Sequence, residues 1–156
     1  MYNAKYRFVW KAIKYNRKQG GEIVSTPSFI IGLEDRETKE VFPHPISHFL
    51  YKKYHRNSGS VNTELTVAQI IVPFLNFVLD KVNQEALNYT AIKGLVDLQE
   101  CHANAYLQYC VDEKSNKNST LEMKENFLSK FYKYLWDEKV LKHKPRFKLV
   151  SVRTGK

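Results

Sequence analysis

Cysteine is scarce: Cys101 and Cys110 are the only two in a chain of 156 residues, and they form no CxxC pair. That excludes a disulfide framework and a thiolate zinc cluster. Both fall in a segment predicted to be helical. Nine residues at about 100° each set them on opposite sides of it, so they do not bridge within that helix. Long apolar runs are also missing. The longest, Ile70-Ile71-Val72-Pro73-Phe74-Leu75, falls far short of the ~20 residues needed to span a bilayer. The first eighteen residues mix basic and aromatic side chains without an unbroken apolar core, which excludes a secretory signal. The expectation is a soluble cytoplasmic protein, nucleoid-associated and without membrane contact, whose two thiols stay reduced.

The signatures of catalysis are lacking too. There is no Gly-rich phosphate loop, no Gly-x-Ser-x-Gly elbow and no HExxH pattern. His44 and His48 have an i,i+4 spacing, but Pro-Ile-Ser lies between them and no glutamate accompanies them, so no metal is expected. Asp and Glu are scattered singly. No enzyme class and no cofactor follows from these residues.

Acidic residues are the last shortage: 16 Asp and Glu stand against 25 Lys and Arg, a formal charge of +9. A field of that sign favours polyanions, nucleic acid among them. What the chain does have is core material, 43% hydrophobic with 13% Phe, Trp and Tyr, enough to exclude wholesale disorder.

Residues 1–43 read differently from the rest. Ser28–Leu33 is an apolar strand-like run, Glu34–Thr38 a charged turn, and Lys39–Phe42 a returning strand, which together suggest a hairpin. Tyr6–Tyr15 fits a short helix or a strand equally, and Gly20-Gly21 is a break. From Pro43 the sequence reads as helices. Ile46, Phe49, Leu50 and Tyr54 recur at helical spacing in the first. The second starts at Asn62-Thr63 and runs to about Leu79, almost wholly apolar, with Pro73 expected to kink it. A third covers Leu95–Val111, and a fourth runs from Asn118 or Ser119 to about Lys139.

The order of these segments resembles the core-binding domain of the tyrosine recombinase (phage integrase) family. Ser60-Val61-Asn62-Thr63, followed by a helix ending Pro73-Phe74-Leu75-Asn76-Phe77-Val78-Leu79, is similar to that domain's opening turn and helix. Asn118-Ser119-Thr120 with Phe127-Leu128-Ser129-Lys130-Phe131-Tyr132-Lys133-Tyr134-Leu135 resembles its fourth helix. Val140–Pro145 is similar to its exit segment, with Lys144 where Asn is usual.

The resemblance implies a mainly α fold: a four-helix SAM-like core-binding bundle with a small N-terminal β-hairpin appendage. Residues 1–43 would be the appendage, 44–148 the DNA-binding domain and 149–156 a basic tail leading toward a catalytic domain. The family's strand-exchange chemistry needs Arg, His-x-x-Arg and a Tyr nucleophile. Only eleven residues follow Pro145, so the chain itself is expected to be non-catalytic, an isolated domain or a truncated product. The implied partners are double-stranded DNA, the catalytic domain of the same parent protein, and further copies of the chain on DNA.

DNA binding needs cations for phosphates and polar tips for base edges. The fourth helix offers Lys130 and Lys133 with Asn126 and Ser129 on its outward face, and Lys124 at its edge. Asn62, Thr66 and Gln69 form a polar stripe on the second helix; Ser60, Thr63, Ser119 and Thr120 sit at caps where phosphate is favoured. Arg146, Lys148 and Arg153 in the tail complete the set. The competing expectation is a helical protein-interaction module or small basic regulator, marked by an exposed apolar patch without a continuous positive face.

Overall fold

The computed structural model describes residues 5–55, 61–82 and 95–145. These fall into two compact units, one formed by Lys5–Pro73 and the other by the residues from Phe74 onward.

The first unit is built on a long hairpin. Strands β1 (Tyr6–Gln19) and β2 (Glu22–Asp35) pair antiparallel over their whole length, from Tyr6↔Asp35 to Gln19↔Glu22. Gly20 and Gly21 join them at φ +61° and +85°. Two successive positive φ values are what a two-residue I′ turn requires, and glycine adopts them without a Cβ penalty. At the hairpin base, Arg7 lies opposite Glu34 and its guanidinium bonds the carboxylate at 2.8 Å. Three register steps further toward the tip, Trp10 lies opposite Ile31 and meets the Phe29 ring edge-on at 5.7 Å.

Strand β3 (Val41–Pro43) extends the sheet to the order β1-β2-β3, pairing Gly32↔Pro43 through Glu34↔Val41. The turn before it is held by the Asp35 carboxylate, which accepts the Glu37 and Thr38 amides at 2.9 and 3.2 Å. Those backbone N–H groups keep its carboxyl below the ordinary range. Gly32 is a steric requirement: a Cβ there would lie 2.8 Å from Val41 Cγ1 and 2.9 Å from the Phe42 carbonyl oxygen. Gly32→Ala is expected to push β3 off the sheet and cost about 1–3 kcal/mol in urea unfolding; an unchanged midpoint would contradict this packing.

Where β3 ends, the next element takes over the edge of β2. The His44 amide donates to the Ile31 carbonyl at 2.9 Å, and Ser47 Oγ both donates to that carbonyl (2.7 Å) and accepts the Ile31 amide (2.9 Å). Ser47 opens the short helix α1 (Ser47–Leu50), which continues as a π-helical turn, Tyr51–His55, and buries Phe49 and Leu50. His44 is half-buried against the Phe8 ring at 5.6 Å, and its Nδ1 accepts the Ile46 amide at 3.1 Å. Burial holds its pKa below the ordinary value. The unfolded chain therefore takes the proton first, and stability is full above the unfolded pKa of about 6.5 and lost as pH falls below it. The melting temperature is expected to drop more between pH 7 and pH 5 in the wild type than in His44→Gln; parallel curves would contradict this.

Helix α2 (Val61–Phe77) runs through Pro73 without ending and passes into a π-helical turn, Val78–Val82. Its residues up to Pro73 belong to the hairpin's unit, to which they give the buried Val67, Ala68, Ile70 and Ile71. Glu64, also buried, accepts the Ser28 hydroxyl at 2.7 Å and so ties the helix to β2. By length and composition Thr63–Asp80 could cross a membrane, yet half of it is buried inside the fold, as in a core helix.

The second unit comprises the end of α2, a 3-10 turn (Leu95–Asp97), α3 (Glu100–Asp112) and α4 (Asn118–Asp137). Its core is aromatic. Phe74 meets Tyr106 edge-on at 5.6 Å and Tyr132 at 6.0 Å, and Phe77 contacts Tyr106 and Tyr109. Burial raises the Tyr132 phenol well above its ordinary pKa, so it stays a donor, and its hydroxyl bonds the Gln99 carbonyl at 2.7 Å. Cys101 is exposed and Cys110 buried, on opposite sides of α3 as the helical spacing requires.

The expectation of a mainly α four-helix bundle is thus overturned: the fold is mixed α/β. The helices lie close to where periodicity put them, and the hairpin expected at Ser28–Phe42 is present as β2 and β3, but β1 pairs with β2 as well, in a hairpin far longer than that one. Nor is that sheet an appendage ending at Pro43. Ile31 needs Ser47, and Ser28 is bonded to Glu64, so the compact units divide at Pro73/Phe74 instead.

Candidate nucleic-acid interface

The helical residues singled out from sequence do not form one cationic surface. On α2, Thr63 and Thr66 are half-buried and only Gln69 is exposed. Ser60, Arg146, Lys148 and Arg153 lie outside the described residues, as does the side chain of Asn62. On α4, Ser119, Asn126, Lys130 and Lys133 are exposed and Thr120 is half-buried. Lys130 extends over its own helix neighbour Phe127, 5.5 Å from the ring centroid. Lys133 lies 3.5 Å from Asp137, an exposed i,i+4 pair that adds little stability.

Lys124 is drawn inward. Its ammonium is 2.7 Å from Asn116 Oδ1, 3.4 Å from Cys110 Sγ and 5.6 Å from the Tyr106 ring centroid. It joins α4 to the α3–α4 connection. Within α4, Lys124, Lys130 and Lys133 are matched by Glu122, Glu125 and Asp137, so the helix as a whole carries no excess charge.

The concentrated positive charge lies elsewhere. β1 contains Arg7, Lys11, Lys14, Arg17 and Lys18 and no acid; β2 has acids only at its ends, Glu22, Glu34 and Asp35. Arg7 is neutralised by Glu34. Lys11, Lys14 and Lys18 are exposed, and no ion pair is recorded for them among the described residues.

Strand alternation places Lys14, Asn16 and Lys18 on one face, opposite Pro27, Ser25 and Ile23 of β2. All six are exposed. On that face the Ser25 hydroxyl donates to Asn16 Oδ1 at 2.6 Å. With a rise of about 3.3 Å per residue, Lys14 and Lys18 lie about 13 Å apart along the strand, with Asn16 midway.

The distal hairpin also discourages strand addition. β1 is the outer strand, and its edge is studded with lysine. On β2, Ile31 directs its N–H and C=O away from β1, toward Ser47 and His44. The two-residue repeat puts Pro27 at the same edge, where it has no N–H to offer.

The sequence signals for this surface were an acid-free run of cations from Lys11 to Lys18 and a Gly-Gly step beside it. They carry weight only once Tyr6–Gln19 is known to be a strand. Among the described residues no group of three His, Cys, Asp or Glu side chains gathers to hold a metal. No family model, curated protein or solved structure matches the chain.

Proposed function

We propose that this chain binds duplex DNA without catalysing a reaction, as the DNA-binding part of a tyrosine recombinase whose chemistry resides in a catalytic domain of the same parent protein. The observation that carries the DNA reading is the β1–β2 ribbon, with Lys11, Lys14 and Lys18 exposed and no carboxylate among them. An antiparallel two-stranded ribbon is one of the elements that the grooves of B-form DNA admit, the major groove being about 12 Å wide. The deep, narrow major groove of A-form RNA is closed to it. Its blocked edges favour a nucleic acid over a protein strand. The recombinase context rests on the order of the turn, helix and exit segments between Ser60 and Pro145. In that context several copies would clamp one recombination site.

The test is a fluorescence-anisotropy titration of the chain against a 30-base-pair duplex across a range of salt concentrations. Each phosphate neutralised adds about −0.9 to the slope of log affinity against log salt. Three free lysines give an expected slope of about −3 or steeper. A flat salt dependence, or no binding at low salt, would overturn the proposal.

A further inference from the structure

The hairpin tip carries one large apolar side chain among polar ones. Resting on the DNA-binding reading above, we infer that Ile23 is a wedge that enters between two stacked base pairs from the minor groove, kinks the duplex and so favours a pyrimidine–purine step. Ile23 is 71% exposed, more than any other large apolar side chain among the described residues; the next, Phe42, is 50% exposed. It lies two residues beyond the Gly20-Gly21 turn and directly opposite Lys18. It shares its face with Lys14, Asn16, Lys18, Ser25 and Pro27, all exposed and, proline apart, all polar. So exposed a side chain packs into neither core. Strand propensity does not require it either, since threonine is β-branched too and leaves less apolar surface in water.

The surroundings of Ile23 fit a base step. Gly20 and Gly21 bring no side chains, and a Cβ at either would meet nothing within 4 Å, so among the described residues the end of the ribbon is slim and stands clear. Strand alternation turns Glu22 to the opposite face, away from Ile23. Lys18 beside the isoleucine, and Lys14 about 13 Å further along β1, supply charge for phosphates that flank the inserted side chain. Apolar wedges of this kind are how minor-groove binders part a base step: unstacking is costly, and burial of the wedge with the wider contact of bent DNA offsets it. Such a contact makes no hydrogen bond to a base. Its selectivity comes from the cost of unstacking and kinking, which is low at the flexible pyrimidine–purine steps, TA and CA/TG.

The test uses two 30-base-pair duplexes labelled at their ends for energy transfer, each with 2-aminopurine in place of a central adenine. In the first, a strand of pyrimidines followed by purines leaves a single, central TA step; the second has an unbroken purine strand and no pyrimidine–purine step. The wild type is expected to bind the first about fivefold more tightly or better, the lower end for one altered base pair. Binding should bend it by about 20° or more and brighten the 2-aminopurine as it leaves the stack. Ile23→Leu should keep all three responses. Ile23→Thr, still suited to a strand, should bind both duplexes alike with the salt slope of the wild type, and should neither bend nor brighten the first. Equal bending and brightening by the wild type and Ile23→Thr, or a wild type that binds without either, would overturn the wedge while DNA binding by the ribbon stands. If the wild type binds no duplex at low salt, both readings fall together.

Discussion

Reversing both lysines on the open ribbon face, Lys14→Glu with Lys18→Glu, is expected to lower affinity for duplex DNA about a hundredfold near 0.1 M salt. Counterion release at that concentration makes each phosphate contact worth about a factor of ten, and two are lost. The slope of log affinity against log salt should flatten by about two units, because the remaining contacts release fewer ions. Fold stability should be unchanged within about 0.5 kcal/mol, since both side chains are exposed and make no ion pair among the described residues. Anisotropy titrations beside a urea melt separate the two effects. The matched control is Lys130→Glu with Lys133→Glu on α4, where the lysines sit among an equal number of acids and the expected loss is smaller. A larger loss from the α4 pair would move the interface from the ribbon to the helix.

Phe74→Ala is expected to be the most damaging single core change, costing about 3–5 kcal/mol. Phe74 is fully buried at the end of α2 and contacts the rings of both Tyr106 on α3 and Tyr132 on α4. Truncation removes two aromatic pairs and leaves a cavity between three helices. Tyr132 would also lose packing that orients its hydroxyl toward the Gln99 carbonyl at the start of α3. Phe42→Ala, at a side chain half exposed on β3, provides the contrast and should cost well under 1 kcal/mol. Comparable losses in urea unfolding would contradict the placement of the second core.

Helices were legible in the sequence because their apolar residues recur at helical spacing. Leu121, Leu128, Phe131, Tyr132 and Leu135 recur at helical spacing, and all are buried on α4. The β2–β3 hairpin was legible from Ser28–Leu33 and Lys39–Phe42, but the longer β1–β2 hairpin was not, for a physical reason. Near its base both faces are partly covered, so Phe8-Val9-Trp10 and Ile30-Ile31 read as continuous apolar runs without a two-residue alternation. Further along, β1 is too polar to advertise a strand. Only its pairing with β2 through the positive-φ Gly20-Gly21 turn makes it one. Arg7 and Glu34 are 27 positions apart and Ser28 and Glu64 are 36 apart, so the contacts that seat the sheet had no local signature.

The candidate site follows the same division. On α4 the outward positions Asn126, Lys130, Lys133 and Asp137 are exposed, because a helical wheel is enough to find them, while Ser129 is half-buried. Lys124 was expected at the helix edge, yet its ammonium is captured by Asn116 and Cys110, which come from the preceding helix and connection. The excess of basic residues pointed toward polyanions but not to a surface. Locating the free cations on β1 required knowing that α4 balances its own charge and that Arg7 is spent on Glu34.

The most direct measurement is amide chemical-shift mapping of the 15N-labelled chain on titration with a 20-base-pair duplex at low salt. Binding through the ribbon predicts that the largest perturbations cluster between Lys11 and Ser25, with Asn16 among them, and fade as salt is raised. Perturbations confined to Asn118–Asp137, with the hairpin unmoved, would contradict it.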